Sequence, residues 1–246
     1  MSSLVNKTKK SLPYLAIILI ILNLFFFFST NQQNTFDEDK IVKILSENRN
    51  ILPRILDKIE VIEEQNNKRN ISLYYEDLIR NDYLSLGNKN GKDIIIEFFD
   101  YNCGYCKRSF PEIMELVSEN KDIKVILKEL PVLGESSILA SKASIASQKQ
   151  DKYFEFHQEL INFSGLISIS DIKKISKELG INYEQLQKDM NSDETILLIN
   201  ESYRLADLIG VRGTPAFIIN NDLIPGAIGK NEMLRFLNRW RKLYIY

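Results

Sequence analysis

The chain has 246 residues, enough for one good-sized domain with additions, and its 32 basic and 33 acidic side chains nearly cancel. Without a global field it lacks the electrostatic footprint of a nucleic-acid binder, and no nucleic-acid partner is expected. A charged fraction of 26% beside 44% apolar residues is that of a folded globular protein, not of a disordered one.

Lys7, Lys9 and Lys10 precede an apolar run from Leu12 to Phe28, broken only by Pro13, Tyr14 and Asn23. A basic segment followed by a hydrophobic one enters the export pathway. The run is at the short limit for a bilayer span, and no small-residue cleavage site follows it. Residues 1–30 therefore read as a signal peptide or as an uncleaved anchor to the inner membrane through residues 12–28. Lysines before the run and Asp37, Glu38 and Asp39 after it place the rest of the chain on the outer side, in a periplasmic or extracytoplasmic compartment.

Beyond a polar linker at 29–36, Ile41, Leu45, Asn48, Leu52, Ile55, Ile59 and Ile62 follow one another at 4-3-4-3-4-3 spacing. This is a heptad seam with a polar residue inside it. Two readings stand: residues 37–64 form a homo-oligomerisation arm, or the helices dock on their own domain. Pro53 lies inside the seam and should kink or split its helix. Gln65 to Asn70 reads as a polar break, and residues 71–86 as another helix. The helical extension thus spans 37–86, and the turn signal Gly87-Asn88-Lys89-Asn90-Gly91 opens a second domain at 87–246.

That domain reads as a strand (Asp93 to Phe99), a helix (Cys103 to Glu119) and a strand (Ile123 to Leu130). A helical block follows at about 134–209, with helices at Ser136–Gln148, Tyr153–Phe163, Ser170–Leu179, Tyr183–Met190 and Asp193–Ile209. Two strands (Ala216 to Asn220, Leu223 to Pro225) and a helix (Asn231 to Leu243) close it. Strands at both ends of a helical block define an α/β fold with a helical insertion.

The two cysteines of the chain form a single C-x-x-C, Cys103-Gly104-Tyr105-Cys106, between a β-branched, aromatic strand and an amphipathic helix. Free N–H groups and the dipole at a helix N-terminus favour the thiolate, so Cys103 is the expected nucleophile, exposed and low in pKa. Cys106, one turn inside, is the expected buried resolving thiol. A zinc site would need about four ligands, and one distant histidine, His157, is all that remains; it reads as a packed residue. No metal or other cofactor is expected. Glu97 is a carboxylate inside an apolar run, a placement that asks for a partner or a task. Lys128, on the next strand, is a candidate charge partner.

These motifs resemble the DsbA-like thiol-disulfide oxidoreductases of the thioredoxin superfamily, in the exported branch with an N-terminal helical extension. The resemblance covers about residues 86–243 and rests on Glu97-Phe98-Phe99-Asp100-Tyr101 before the cysteines, Pro111 in the helix after them, Gly213-Thr214-Pro215-Ala216-Phe217, and the helical insertion. It implies a thioredoxin-like fold and a cis Thr214-Pro215 loop beside the cysteines that pairs with substrate. It also implies that Glu97 takes the proton of Cys106. The implied partners are exported proteins with cysteines and a membrane redox partner that the sequence does not name. Gly104-Tyr105, which tunes the potential, contains no histidine to hold charge beside Cys103, and resembles the dipeptide of periplasmic disulfide isomerases. An oxidoreductase with isomerase capacity is favoured. A dedicated oxidase, a partner-specific reductase and a non-catalytic holdase are the alternatives.

Overall fold

The first described helix, α1 (Glu38–Glu47), is capped by Asp37, whose carboxylate accepts from the amide of Lys40 at 3.2 Å. It stops at Asn48, whose amide and side chain both donate to the carbonyl of Ile44. Helix α2 (Ile51–Leu73) then begins, with Pro53 in its first turn, where a missing N–H breaks no hydrogen bond. The proline does split the seam, but by starting a helix. The computed structural model describes residues 37–48 and 50–241; the signal-or-anchor reading of 1–30 and the end of the last predicted helix lie outside them. Among the described residues no helix is long and apolar enough to cross a membrane.

The chain divides into two compact units, one ending at Asp57 and one beginning at Lys58. In the first, α1 buries no residue, and its Val42 is 63% exposed. The second unit starts well before the predicted boundary at 87. Gln65 to Asn70 is not a break, because lysine, arginine and glutamine continue a helix readily. The predicted helix at 71–86 is instead the end of α2, the short α3 (Tyr75–Ile79) and a strand, β1 (Ser85–Gly87). A three-residue strand is too short to show a periodicity.

Four further strands complete the sheet: β2 (Asp93–Phe99), β3 (Ile123–Glu129), β4 (Ala216–Ile219) and β5 (Asp222–Pro225). Their order is β1-β3-β2-β4-β5, with β2 and β3 parallel and the other pairs antiparallel. Helix α4 (Gly104–Glu119) makes the crossover from β2 to β3. Between β3 and β4 lies the insertion: α5 (Glu135–Ser147), α6 (Tyr153–Asn162), α7 (Ile169–Glu178), α8 (Tyr183–Met190) and α9 (Asp193–Ile209). Helix α10 (Lys230–Arg241) closes the described chain. Ser168 and Ser192 cap α7 and α9. This is the α/β thioredoxin-like fold with a helical insertion and an N-terminal helical arm.

Strand side chains alternate between two cores. Ile95, Phe99, Val125, Leu127 and Phe217 enter the one shared with α4 and the insertion. Ile96, Phe98, Ile126 and Ile218 enter the other, with Ile71 of α2, Leu78 of α3, and Leu205 and Ile209 of α9. Glu97 and the cysteines belong to the first face and Lys128 to the second.

Candidate active site

Cys103 is the N-cap of α4, and its carbonyl accepts the amide of Lys107 at 3.1 Å. Its own amide donates to the carbonyl of Asp100 at 3.0 Å, closing the turn that ends β2. The side chain of Asp100, fully buried, fixes that turn in place. It accepts from the amide of Asn102 at 2.7 Å, the hydroxyl of Ser137 on α5 at 2.7 Å and the amide of Leu133 at 2.9 Å. One carboxylate thereby ties the redox loop to the start of the insertion.

Both cysteines are free thiols. Cys103 is only 6% exposed, far less open than expected for a nucleophile, and Cys106 is 1% exposed. The cover over Cys103 comes from the cis Thr214-Pro215 loop: the Cys103 thiol donates to the Thr214 carbonyl at 3.2 Å. The pKa of Cys103 falls to about 5. A hydrogen bond from the Cys106 thiol is the largest cause, the Thr214 side chain and the amides of Cys106 and Tyr105 add to it, and burial opposes them. Burial, the shared hydrogen bond and the charge of Glu97 push Cys106 far above the ordinary thiol range. Two thiols one turn apart are thus driven in opposite directions.

Glu97 stands in register with Leu127 and Phe217 and is 4% exposed. Burial, and then the negative charge at Cys103, raise its carboxyl to about 8. Lys128 is not its partner. Lys128 is in register with Phe98, so its side chain leaves the sheet on the opposite face, where its ammonium donates to the carbonyl of Arg80 at 2.9 Å. Burial lowers its pKa to about 8. Side chains one position apart across a parallel pair cannot meet through the sheet.

The dipeptide between the cysteines is outward. The Tyr105 ring is exposed, and the Arg108 guanidinium lies over it at 4.2 Å. Lys107 donates to the carbonyl of Phe163. Pro111 lies inside α4.

Sequence reasoning passed over a second buried carboxylate on the same face. Glu129 is 1% exposed and raised to about 8 by burial. It accepts from Ser141 at 2.8 Å and from the Tyr101 hydroxyl at 3.1 Å. That hydroxyl also reaches Ser144 at 2.6 Å and His157 Nδ1 at 2.8 Å. His157 is a packed residue among Phe99, Tyr101, Phe110 and Tyr153, and burial lowers its pKa to about 3. The signal was present: a carboxylate in the apolar run Ile126-Leu127-Lys128-Glu129-Leu130 poses the same question as Glu97. Among the described residues no three His, Cys, Asp or Glu side chains gather as metal ligands.

A helix-capping dithiol beneath a cis-proline loop, on a parallel strand–helix–strand unit, defines the class of thioredoxin-fold thiol-disulfide oxidoreductases. Residues 94–238 match the family described as the DSBA-like thioredoxin domain, and the chain belongs to that family.

A thioredoxin-like oxidoreductase from Silicibacter pomeroyi is similar at 37% identity and a TM-score of 0.62, over 64% of this chain and 91% of that one. The thiol-disulfide exchange protein alpha-DsbA2 of Wolbachia pipientis is 32% identical, with a TM-score of 0.66 over 72% and 97% of the two chains. Proteus mirabilis ScsC, as a linker-deletion mutant, shares the fold over 87% of this chain and 99% of its own, at 24% identity and a TM-score of 0.71. Of a curated relative, the Na(+)/H(+) antiporter NhaA 1 of Salinispora arenicola, the chain spans 21% of the length, at 24% identity over 136 residues and 54% of this chain.

Proposed function

We propose that the protein catalyses dithiol–disulfide exchange on exported proteins in a periplasmic or extracytoplasmic compartment, through Cys103 and Cys106 and without a cofactor. The observation that carries this reading is the opposed shift of the two thiols, Cys103 to about 5 and Cys106 upward. At neutral pH one sulfur is then an anion and the other holds its proton. The Cys103 thiolate attacks a substrate disulfide; one substrate sulfur leaves as thiolate, and a mixed disulfide joins Cys103 to the other. Cys106 gives its proton to Glu97 and attacks the Cys103 sulfur, which expels the second substrate thiolate and closes the Cys103–Cys106 bond. Two electrons pass to the substrate; the reverse sequence delivers a disulfide.

Glu97 suits the second step because the charge at Cys103 contributes to its raised pKa. Once Cys103 is in a mixed disulfide that charge is gone, and the carboxylate becomes easier to form when a base is needed. Thr214 and Pro215 receive the substrate backbone as a short added strand. A Cys106→Ala variant should accumulate mixed disulfides on Cys103 when offered disulfide-bonded protein; absence of such complexes defeats the reading.

Isomerase capacity is the finer reading, favoured by the exposure of the arm. Leu52 is 46% and Ile62 55% exposed, with Ile55, Leu56 and Ile59 also open to solvent. A regular seam this bare is suited to a second copy of the chain, with residues 37–64 as a homo-oligomerisation arm and several sites acting on one substrate. Sedimentation of the fragment from residue 37 as a monomer, with no disulfide reshuffling, returns the protein to the oxidase reading. The equilibrium potential against glutathione fixes the direction of exchange with the membrane redox partner.

A further inference from the structure

Behind the redox turn lies a set of polar side chains that the exchange chemistry above does not use. Glu129 ends β3, is 1% exposed, and shares its face of the sheet with Glu97. Its Oε2 accepts from Ser141 of α5 at 2.8 Å, and its Oε1 faces the Tyr101 hydroxyl at 3.1 Å and the Tyr153 hydroxyl of α6 at 3.4 Å. Tyr101 is fully buried, and its hydroxyl also stands 2.6 Å from Ser144 Oγ and 2.8 Å from His157 Nδ1.

The single proton on that hydroxyl has three neighbours, so the other two must donate to its oxygen. His157 stays neutral, since burial holds it at about 3, and a neutral imidazole has one N–H. Two arrangements then satisfy the Tyr101 oxygen. With Glu129 ionised, Tyr101 donates to the carboxylate and accepts from Ser144 and from Nδ1–H of His157. With Glu129 protonated, its O–H donates to Tyr101, Ser144 donates as before, and Tyr101 donates to a bare Nδ1 while the ring proton sits on Nε2. The basic ring nitrogen takes that bond in preference to a serine hydroxyl.

The surroundings leave both arrangements within reach. Burial and the charge of Asp100 oppose ionisation of Glu129 while Ser141, Tyr101 and Ser144 support it, and it rests at about 8. Glu97 and Asp100 from β2 and its turn, Tyr153 and His157 from α6, and Cys106 from α4 are the other titratable groups on this side, whereas Lys128 leaves on the opposite face.

We infer that Glu129, Tyr101 and His157 form a proton switch behind the redox turn: uptake of one proton leaves Glu129 protonated, reverses the hydrogen bonds of Tyr101 and moves His157 from its Nδ1–H to its Nε2–H form. The proton enters the ring at Nε2, the Nδ1 proton passes to the Tyr101 oxygen, and the Tyr101 proton passes to the carboxylate. Tyr101 lies two residues before Cys103, and His157 packs on Phe110 of α4 with ring centroids 5.3 Å apart. The turn and the helix that carry the thiols are thus both anchored on the switch. That anchor is a charge-assisted bond above the transition and a neutral one below it.

The test uses the full chain, whose single histidine is His157, with an isotope label on the ring nitrogens. In nitrogen NMR of the reduced protein the ring should change tautomer with a midpoint at about 8, Nε2–H below it and Nδ1–H above. Glu129→Gln and Tyr101→Phe should each fix the ring in one tautomer. Glu97→Gln, which removes the other carboxyl held at about 8, should keep the transition. A parental ring that keeps one tautomer from about pH 6 to about pH 10, or that becomes a cation in this range, overturns the inference. So does a transition that Glu129→Gln keeps or Glu97→Gln loses. Disulfide exchange is read on the same parental sample, and its absence would overturn the exchange reading while leaving the switch intact.

Discussion

The two faces of the sheet each bury a strand side chain of a kind that rarely enters a core. On one face Lys128, which burial lowers to about 8, donates to the carbonyl of Arg80 at 2.9 Å, and the charges of Glu201 and Asp77 only partly offset that burial. On the other, Glu97 has Leu127 and Phe217 as strand neighbours, and burial, followed by the charge at the Cys103 sulfur, works against its ionisation. The lysine has an acceptor for its ammonium and lies on the face away from the cysteines, although burial brings it to about 8 as it does Glu97. The glutamate is held near the balance point between acid and base, which is the condition for moving a proton at neutral pH.

The sharpest test of this contrast is on the thiols. Cys103→Ser should abolish exchange, measured by reduction of a disulfide-bonded substrate, since Cys106 keeps its proton across the neutral range. Next in size, Glu97→Gln should slow resolution of the mixed disulfide by about a hundredfold in a rapid-quench experiment, with the attack by Cys103 little changed. An unchanged resolution rate would make Glu97 as structural as Lys128. On the opposite face the expectations reverse. Lys128→Met should lower stability by about 1–3 kcal/mol in urea titration, because the Arg80 carbonyl loses its donor, while exchange by the folded enzyme stays within about twofold.

A smaller effect follows from pH. Alkylation of Cys103 should show a midpoint at about 5, with Cys106 protected. The folded pKa lies below the 9.0 of an ordinary thiol, so the stability the thiolate gives the reduced form is fully present above 9.0. It is lost as pH falls through about 5. The gap in unfolding free energy between reduced and oxidised protein should move accordingly towards the oxidised form in acid.

Much of this arrangement is legible from residues alone. β2, α8 and α9 begin and end where their patterns predict, because each has a strong period and a polar or turn residue at its limits. Lys128 is where reading fails. Its strand is evident, but its face depends on pairing register, and Glu97 opposite Leu127 instead of Lys128 is a difference of one residue. The polar stretch at 65–70 misleads for another reason. Asn67, Lys68 and Asn70 look like a linker, yet in a helix they are the groups that grip Gly210, Asp222 and Leu208. Asp100 is invisible as an anchor because its partners, Leu133 and Ser137, lie more than thirty residues ahead.

That last separation has a consequence for how the protein comes into being. Cys103 meets Thr214 across 111 residues of chain, and the Tyr101 hydroxyl meets Ser144 and His157 across 43 and 56. A chain made from its N-terminus therefore presents both cysteines long before Thr214 has arrived. During that interval Cys103 lacks the loop that covers it in the folded protein. The Thr214 contribution to the acidity of Cys103 is added only when β4 joins β2, a pairing of high sequence separation and correspondingly late formation. The cover over the nucleophile is thus the latest part of the site in chain order, arriving after the local hydrogen bonds from Cys106 and Tyr105 that already favour the thiolate.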